Sequence, residues 1–122
     1  MTRDEAERLS LRWIELWNSR DLEGVLRLCH EDMTFHSPKA AALIGQGVVH
    51  GKAALRSYWT TALERNTKLH FTLDHVAFDS ERQELFIVYV AELGTGRNRA
   101  CERLRFSGGL AIDGEGLYGA PL

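Results

Sequence analysis

Apolar residues recur at helical spacing through the first half of the chain and alternate with polar ones through the second. Ala6, Leu9, Trp13, Leu16 and Trp17 share one face of a helix predicted from about Asp4 to Asn18, and Thr2 followed by Glu5 supplies a capping-box start. Asp21 can cap a second, short helix with Leu22, Val25, Leu26 and Cys29 on one side. Met33 to Ser37 reads as a strand ended by Pro38, and the Ala- and Gly-rich stretch from Lys39 to Gly47 reads as a loop. A third helix is expected from Gly51 to Asn66, with Leu55, Tyr58, Trp59, Ala62 and Leu63 on its apolar face.

Beyond Asn66 the period becomes two. Segments Leu69–Phe78, Leu85–Leu93, Asn98–Phe106 and Leu110–Tyr118 alternate and are separated by turn residues, the pattern of an antiparallel meander. Apolar parity passes from Leu69, Phe71 and Leu73 to Val76 and Phe78, which predicts a bulge near Asp74 and His75. Helices followed by strands indicate an α+β fold. The expectation is one domain over residues 1–122, cone-shaped, with three N-terminal helices packed on a strongly curved antiparallel β-sheet.

Thr95-Gly96 lies midway between two alternating runs, and a two-residue turn there sets Tyr89 opposite Glu102, Ile87 opposite Leu104 and Leu85 opposite Phe106. That face is apolar and suited to covering by helices, which leaves Glu102 as a carboxyl group aimed inward beside the Tyr89 hydroxyl. The opposite face carries Phe86, Val88, Val90 and Cys101, too apolar for water alone, and implies a homodimer through the outer sheet face. Arg103 and Arg105 should point to that side. Gly114 and Gly116 leave space beside the last strand, so a cavity is expected, lined by Trp13, Trp17, Phe35, Ser37, Trp59, Phe71, Leu104 and Tyr118.

Charge narrows the partners. The chain has 15 basic and 17 acidic residues, a formal charge of -2, so no broad field recruits nucleic acid or anionic lipid. Apolar runs fall short of the ~20 residues that a bilayer span needs, and Met-Thr-Arg-Asp-Glu is too charged for a signal peptide, so a cytoplasmic address is expected. Cys29 and Cys101 cannot build a disulfide framework and read as buried thiols. The histidines at 30, 36, 50, 70 and 75 show no helical pair and no carboxylate triad, so no metal is expected, and nothing implies a cofactor. Parity turns His36 toward the dimer side or the pocket rim. Gly45, Gly47 and Gly51 lack the preceding βαβ strand of a nucleotide loop and suit a pocket lid better.

Several local runs resemble the nuclear transport factor 2-like superfamily, which includes the SnoaL-like cyclases and the ketosteroid isomerases. They are Trp17-Asn18-Ser19-Arg20-Asp21-Leu22, Phe35-His36-Ser37-Pro38, Val49-His50-Gly51-Lys52-Ala53-Ala54-Leu55, Tyr58-Trp59 and Arg103-Leu104-Arg105-Phe106. The resemblance covers essentially the whole chain and implies a cystatin-like α+β roll around a small-molecule pocket. Carried over by position, the isomerases' oxyanion tyrosine, late acid and proton-moving aspartate fall on Trp13, Glu102 and Ser37. Only the acid survives. An indole N–H is a donor only, and an unassisted serine is a poor base, so steroid isomerisation by that route is not expected.

Two readings of the pocket stand side by side. In one, Glu102 is an acid with Tyr89 assisting, and the protein isomerises, cyclises or dehydrates an apolar cyclic metabolite by proton transfer. In the other, the pocket only binds its ligand, or the dimer is a scaffold around a tolerated void. For Glu102 itself the alternative is a buried acid satisfied by Tyr89 or a nearby arginine.

Overall fold

The computed structural model describes residues 1–122 as four helices and six strands. Helix α1 runs from Arg3 to Asn18, and its capping box is formed: the Glu5 N–H donates to Thr2 Oγ1 at 3.2 Å and the Thr2 N–H to Glu5 Oε1 at 3.1 Å. Helix α2 spans Leu22–Arg27, with the Asp21 carboxylate accepting from the Gly24 N–H. Gly24 is required by packing, because a Cβ there would lie 2.5 Å from Leu16 Cδ2 on α1. Cys29, expected on the helix face, instead opens strand β1, Cys29–His36, since α2 ends at Arg27.

The segment read as a loop contains helix α3, Pro38–Ile44. Three local features explain it. The Ser37 hydroxyl accepts from the Lys39 N–H at 3.1 Å, Pro38 sits in the first turn where its missing N–H costs nothing, and Gly45 ends the helix at φ 75°. Between them Ala40, Ala41 and Ala42 favour helix over loop. A short strand β2, Val48–His50, then leads into helix α4, Lys52–Arg65. So there are four helices where the spacing predicts three.

Strands β3, His70–Asp79, β4, Glu84–Glu92, β5, Arg97–Ser107, and β6, Leu110–Pro121, follow as hairpins. The sheet order is β2-β1-β6-β5-β4-β3. It is not antiparallel throughout: β1 runs parallel to β6. The bulge in β3 lies between Leu73 and His75, where the parity change puts it.

The β4–β5 register differs from the expected one. Tyr89 lies opposite Ala100, Ile87 opposite Glu102 and Leu85 opposite Leu104. The Leu93 N–H reaches the Gly96 carbonyl at 3.4 Å, so Gly94-Thr95 is the turn, with Gly94 at φ 88°. Glycine at the first central position suits a tight hairpin turn, and moving the turn back one residue slips the pairing by two. A slip of two keeps every side chain on its face.

The inner face carries Leu85, Ile87, Tyr89, Ala91, Ala100, Glu102, Leu104 and Phe106, all buried against the helices. Phe86, Val88, Val90 and Cys101 are half-buried on the outer face, and Leu117 there is 42% exposed. Arg103 is also outer, held by Glu84 at 3.1 Å, Asp113 at 2.9 Å and Glu115 at 3.4 Å. His36 joins this cluster, 3.3 Å from Asp113. No helix is long and apolar enough to cross a membrane.

Candidate functional site

Glu102 stands at the middle of β5, opposite Ile87 on β4 and Gly116 on β6. It is 7% exposed. The Tyr89 hydroxyl donates to its Oε1 at 3.2 Å, while Oε2 is buried without any hydrogen-bond partner. Loss of solvent drives the Glu102 pKa up to about 8, and the Tyr89 bond only partly opposes this. Near neutral pH the carboxyl is therefore held mostly in its protonated form. A protonated carboxyl with one oxygen unpartnered is a hydrogen-bond donor and acid. Burial, and secondarily the Glu102 charge, pushes the Tyr89 phenol well above its ordinary range, so Tyr89 stays a neutral donor.

Glu102 forms part of the wall of a cavity of about 70 Å³. The deep wall is buried and largely aromatic, with Trp17, Phe35, Tyr58, Trp59, Tyr89 and Ala91. Toward the surface the lining passes to the half-buried Lys39, Ala62, Asn66, Leu69 and Leu93. Phe71 and Tyr118 complete it.

The aromatic wall is a packed set with fixed relative orientations. Trp17 and Trp59 meet edge to face at 5.3 Å between ring centroids, Phe35 and Trp59 at 5.4 Å, and Phe71 lies 4.6 Å from Tyr89. On the edge strand β3, Asn18 fixes Phe71 from the end of α1. Its Nδ2 donates to the Phe71 carbonyl at 2.8 Å and its Oδ1 accepts from the Phe71 N–H at 2.7 Å. Tyr118 folds back along β6: a Cβ on Gly116 would lie 3.0 Å from its hydroxyl oxygen. Gly116 is opposite Glu102, so the missing side chain lets the Tyr118 phenol approach the acid.

Of the residues expected at the pocket, Glu102, Tyr89, Trp17, Phe35, Trp59, Phe71 and Tyr118 converge on this one cavity. Trp13, Ser37 and Leu104 stand outside its lining. Trp13 is fully buried behind Trp17 and Trp59, 6.2 Å from each, with its indole N–H unpartnered. Ser37 is used as the cap of α3, although its hydroxyl is near enough to Tyr58 and Tyr118 to counter part of the upward shift that burial gives them. Leu104 packs toward Gly114, where a Cβ would lie 3.0 Å from its Cδ2. The lining residues not singled out from sequence are Lys39, Tyr58, Ala62, Asn66, Leu69, Ala91 and Leu93. Tyr58 and Ala62 lie on the same apolar face of α4 as Trp59, and that period is the signal for them; Lys39 has none, because its segment carries no apolar stripe.

No three His, Cys, Asp or Glu side chains converge in a metal-binding arrangement. Cys29 is buried, and desolvation pushes its thiol up to about 12, which keeps it a protonated thiol rather than a nucleophile at neutral pH.

No match is found among curated protein sequences. Among solved structures, the chain is similar to a SnoaL-like protein of unknown function from Burkholderia thailandensis, at 24% identity and a TM-score of 0.88, with 98% of each chain covered. A protein of cystatin-like fold from Methylobium petroleophilum is 21% identical with a TM-score of 0.80, over 100% of this chain and 80% of that one. TerC, co-crystallised with polyporic acid, is 15% identical with a TM-score of 0.78, over 93% and 91% of the two chains. At these identities the likenesses establish the fold alone. The model of the SnoaL-like domain matches residues 11–113, which places this chain in the SnoaL-like domain family.

Proposed function

We propose that the cavity binds a small apolar cyclic molecule and that Glu102 carries out proton transfer to it, with Tyr89 assisting, in an isomerisation, cyclisation or dehydration. The supporting observation is Glu102 itself, the carboxyl group on the cavity wall, one of whose oxygens, Oε2, is buried without a partner in the protein. A ligand oxygen placed there receives the proton. The carboxylate left behind, held by the Tyr89 hydroxyl, is then the base that recovers a proton from the ligand's carbon framework, so the enzyme's proton count is restored. About 70 Å³ is well below the ~300–1,000 Å³ of ordinary ligand pockets. The ligand is therefore small, or the side chains at the mouth move aside to admit it.

A second reading, a binding protein without catalysis, is favoured by one observation: Glu102 is the only carboxyl on the lining, and no histidine joins it. Glu102→Gln separates the two. For an enzyme, turnover falls by roughly 10²–10⁴-fold, the usual worth of one general acid–base group, with affinity retained. For a binder, the variant changes affinity or nothing. The reading extends to a homodimer through the outer face, supported by the half-buried Phe86, Val88 and Val90 beside the exposed Leu117. Light scattering that gives a monomer mass at micromolar concentration removes that part.

A further inference from the structure

The proposed proton transfer leaves one charge on the cavity wall unused. Lys39, in the first turn of α3, lines the cavity at its mouth, and its Nζ lies 4.5 Å from the centroid of the Tyr118 ring. Its ammonium is engaged in no ion pair, and burial alone acts on it, lowering its pKa. The comparable lysine, Lys52, has Glu31 at 3.6 Å. A partly desolvated cation without a counter-charge is disfavoured, and an aromatic face offsets this by only about 0.5–1 kcal/mol at such a site. With Glu102 protonated, Lys39 is the single formal charge on the lining, so the field inside the cavity favours an anion.

Tyr118 connects the two polar groups. Its ring lies under the Lys39 ammonium, and its hydroxyl reaches over Gly116, opposite Glu102. A molecule lying along Tyr118 thus meets a cation at the mouth and a carboxyl donor at the floor, with Trp17 and Trp59 as apolar walls. Resting on the reading of this cavity as the binding site, we infer that its ligand is a small apolar ring bearing one acidic group, which pairs with Lys39 while the ring lies among the tryptophans. Lys39 is then the residue that selects for acids over neutral molecules of the same shape.

Three probes of similar size test this: benzoate, benzamide and benzylamine, titrated into the ¹⁵N-labelled protein. The indole N–H signals of Trp17 and Trp59 are the readout, with Trp13, off the lining, as the internal reference. The expected result is benzoate binding about two- to fivefold more tightly than benzamide, the size of one partly exposed ion pair, and benzylamine most weakly. Lys39→Met should bring benzoate down to the benzamide level and leave benzamide unchanged, while Lys39→Arg keeps the preference. Equal binding of benzoate and benzamide, or a preference that survives Lys39→Met, overturns the anion assignment and leaves the cavity standing as a binding site. If none of the three moves Trp17 or Trp59, the cavity reading itself fails, and this inference with it.

Discussion

Replacing Glu102 by glutamine should flatten the protein's stability against pH, and the size of the effect follows from the wall of the cavity. In the unfolded chain the carboxyl titrates at its ordinary value of 4.5; in the fold it titrates at about 8, because ionising it means leaving a charge where water does not reach. Between those values the folded state binds a proton that the unfolded state has released. The stability that Glu102 contributes therefore falls as pH rises, by about 1.4 kcal/mol per unit, and is constant below 4.5 and above about 8. Over the full window this amounts to at most about 5 kcal/mol, a large part of the 5–15 kcal/mol that holds a domain together. Glutamine has the shape of the protonated acid and no charge to lose. Its extra N–H lacks a partner beside the orphaned oxygen, a cost of about 1–3 kcal/mol, but that cost is the same at every pH. Urea unfolding of both proteins at about pH 5, 6, 7 and 8 should thus give curves that diverge steadily, glutamine gaining on glutamate with each unit. Parallel curves would mean that residue 102 ionises as a solvated carboxyl does, and both the dry cavity and the acid assigned to it would have to be given up.

The other predictions concern how the wall is built. Gly114→Ala should lower stability by about 1–3 kcal/mol in a urea titration, because its Cβ would lie 2.9 Å from Met33 Cε and 3.2 Å from the Arg103 carbonyl, and the carbonyl cannot yield. Asn18→Ala removes both side-chain hydrogen bonds to Phe71 on the edge strand β3, at a cost of about 1–3 kcal/mol, and hydrogen exchange should show the Phe71 amide losing protection.

Much of the architecture is legible in residue periodicity because burial on one face imposes it. The apolar stripes of α1 and α4, the Thr2 and Glu5 cap and the bulge between Leu73 and His75 all follow from local rules that the tertiary structure reinforces. What escapes is the segment from Ser37 to Gly45. Alanines with flanking glycines carry no apolar stripe, so the helix announces itself only through its ends, the serine cap, the proline after it and the left-handed glycine at the close. Lys39 is hidden with the helix, since its place on the cavity wall depends on the helix being there. The short strand β2 is equally silent, since three residues are too few to show an alternation.

The site shows where parity suffices and where register is needed. Whether Glu102 faces inward depends only on counting by twos along β5, and a hairpin slipped by two residues gives the same answer. Its partner on β4 is another matter. Tyr89 is paired with Ala100 and reaches Glu102 on the diagonal, a span that a long aromatic side chain covers and a short one does not. Ala100 is small enough to let the phenol lean across it, so the hydrogen bond arises from side-chain length rather than from direct opposition. A slip of one residue would instead have turned the carboxyl to the outer face and Arg103 inward, and the cavity would have lost its acid. The chemistry proposed for the cavity thus depends on an even number of residues in the turn itself, and the two-residue turn Gly94-Thr95 supplies it.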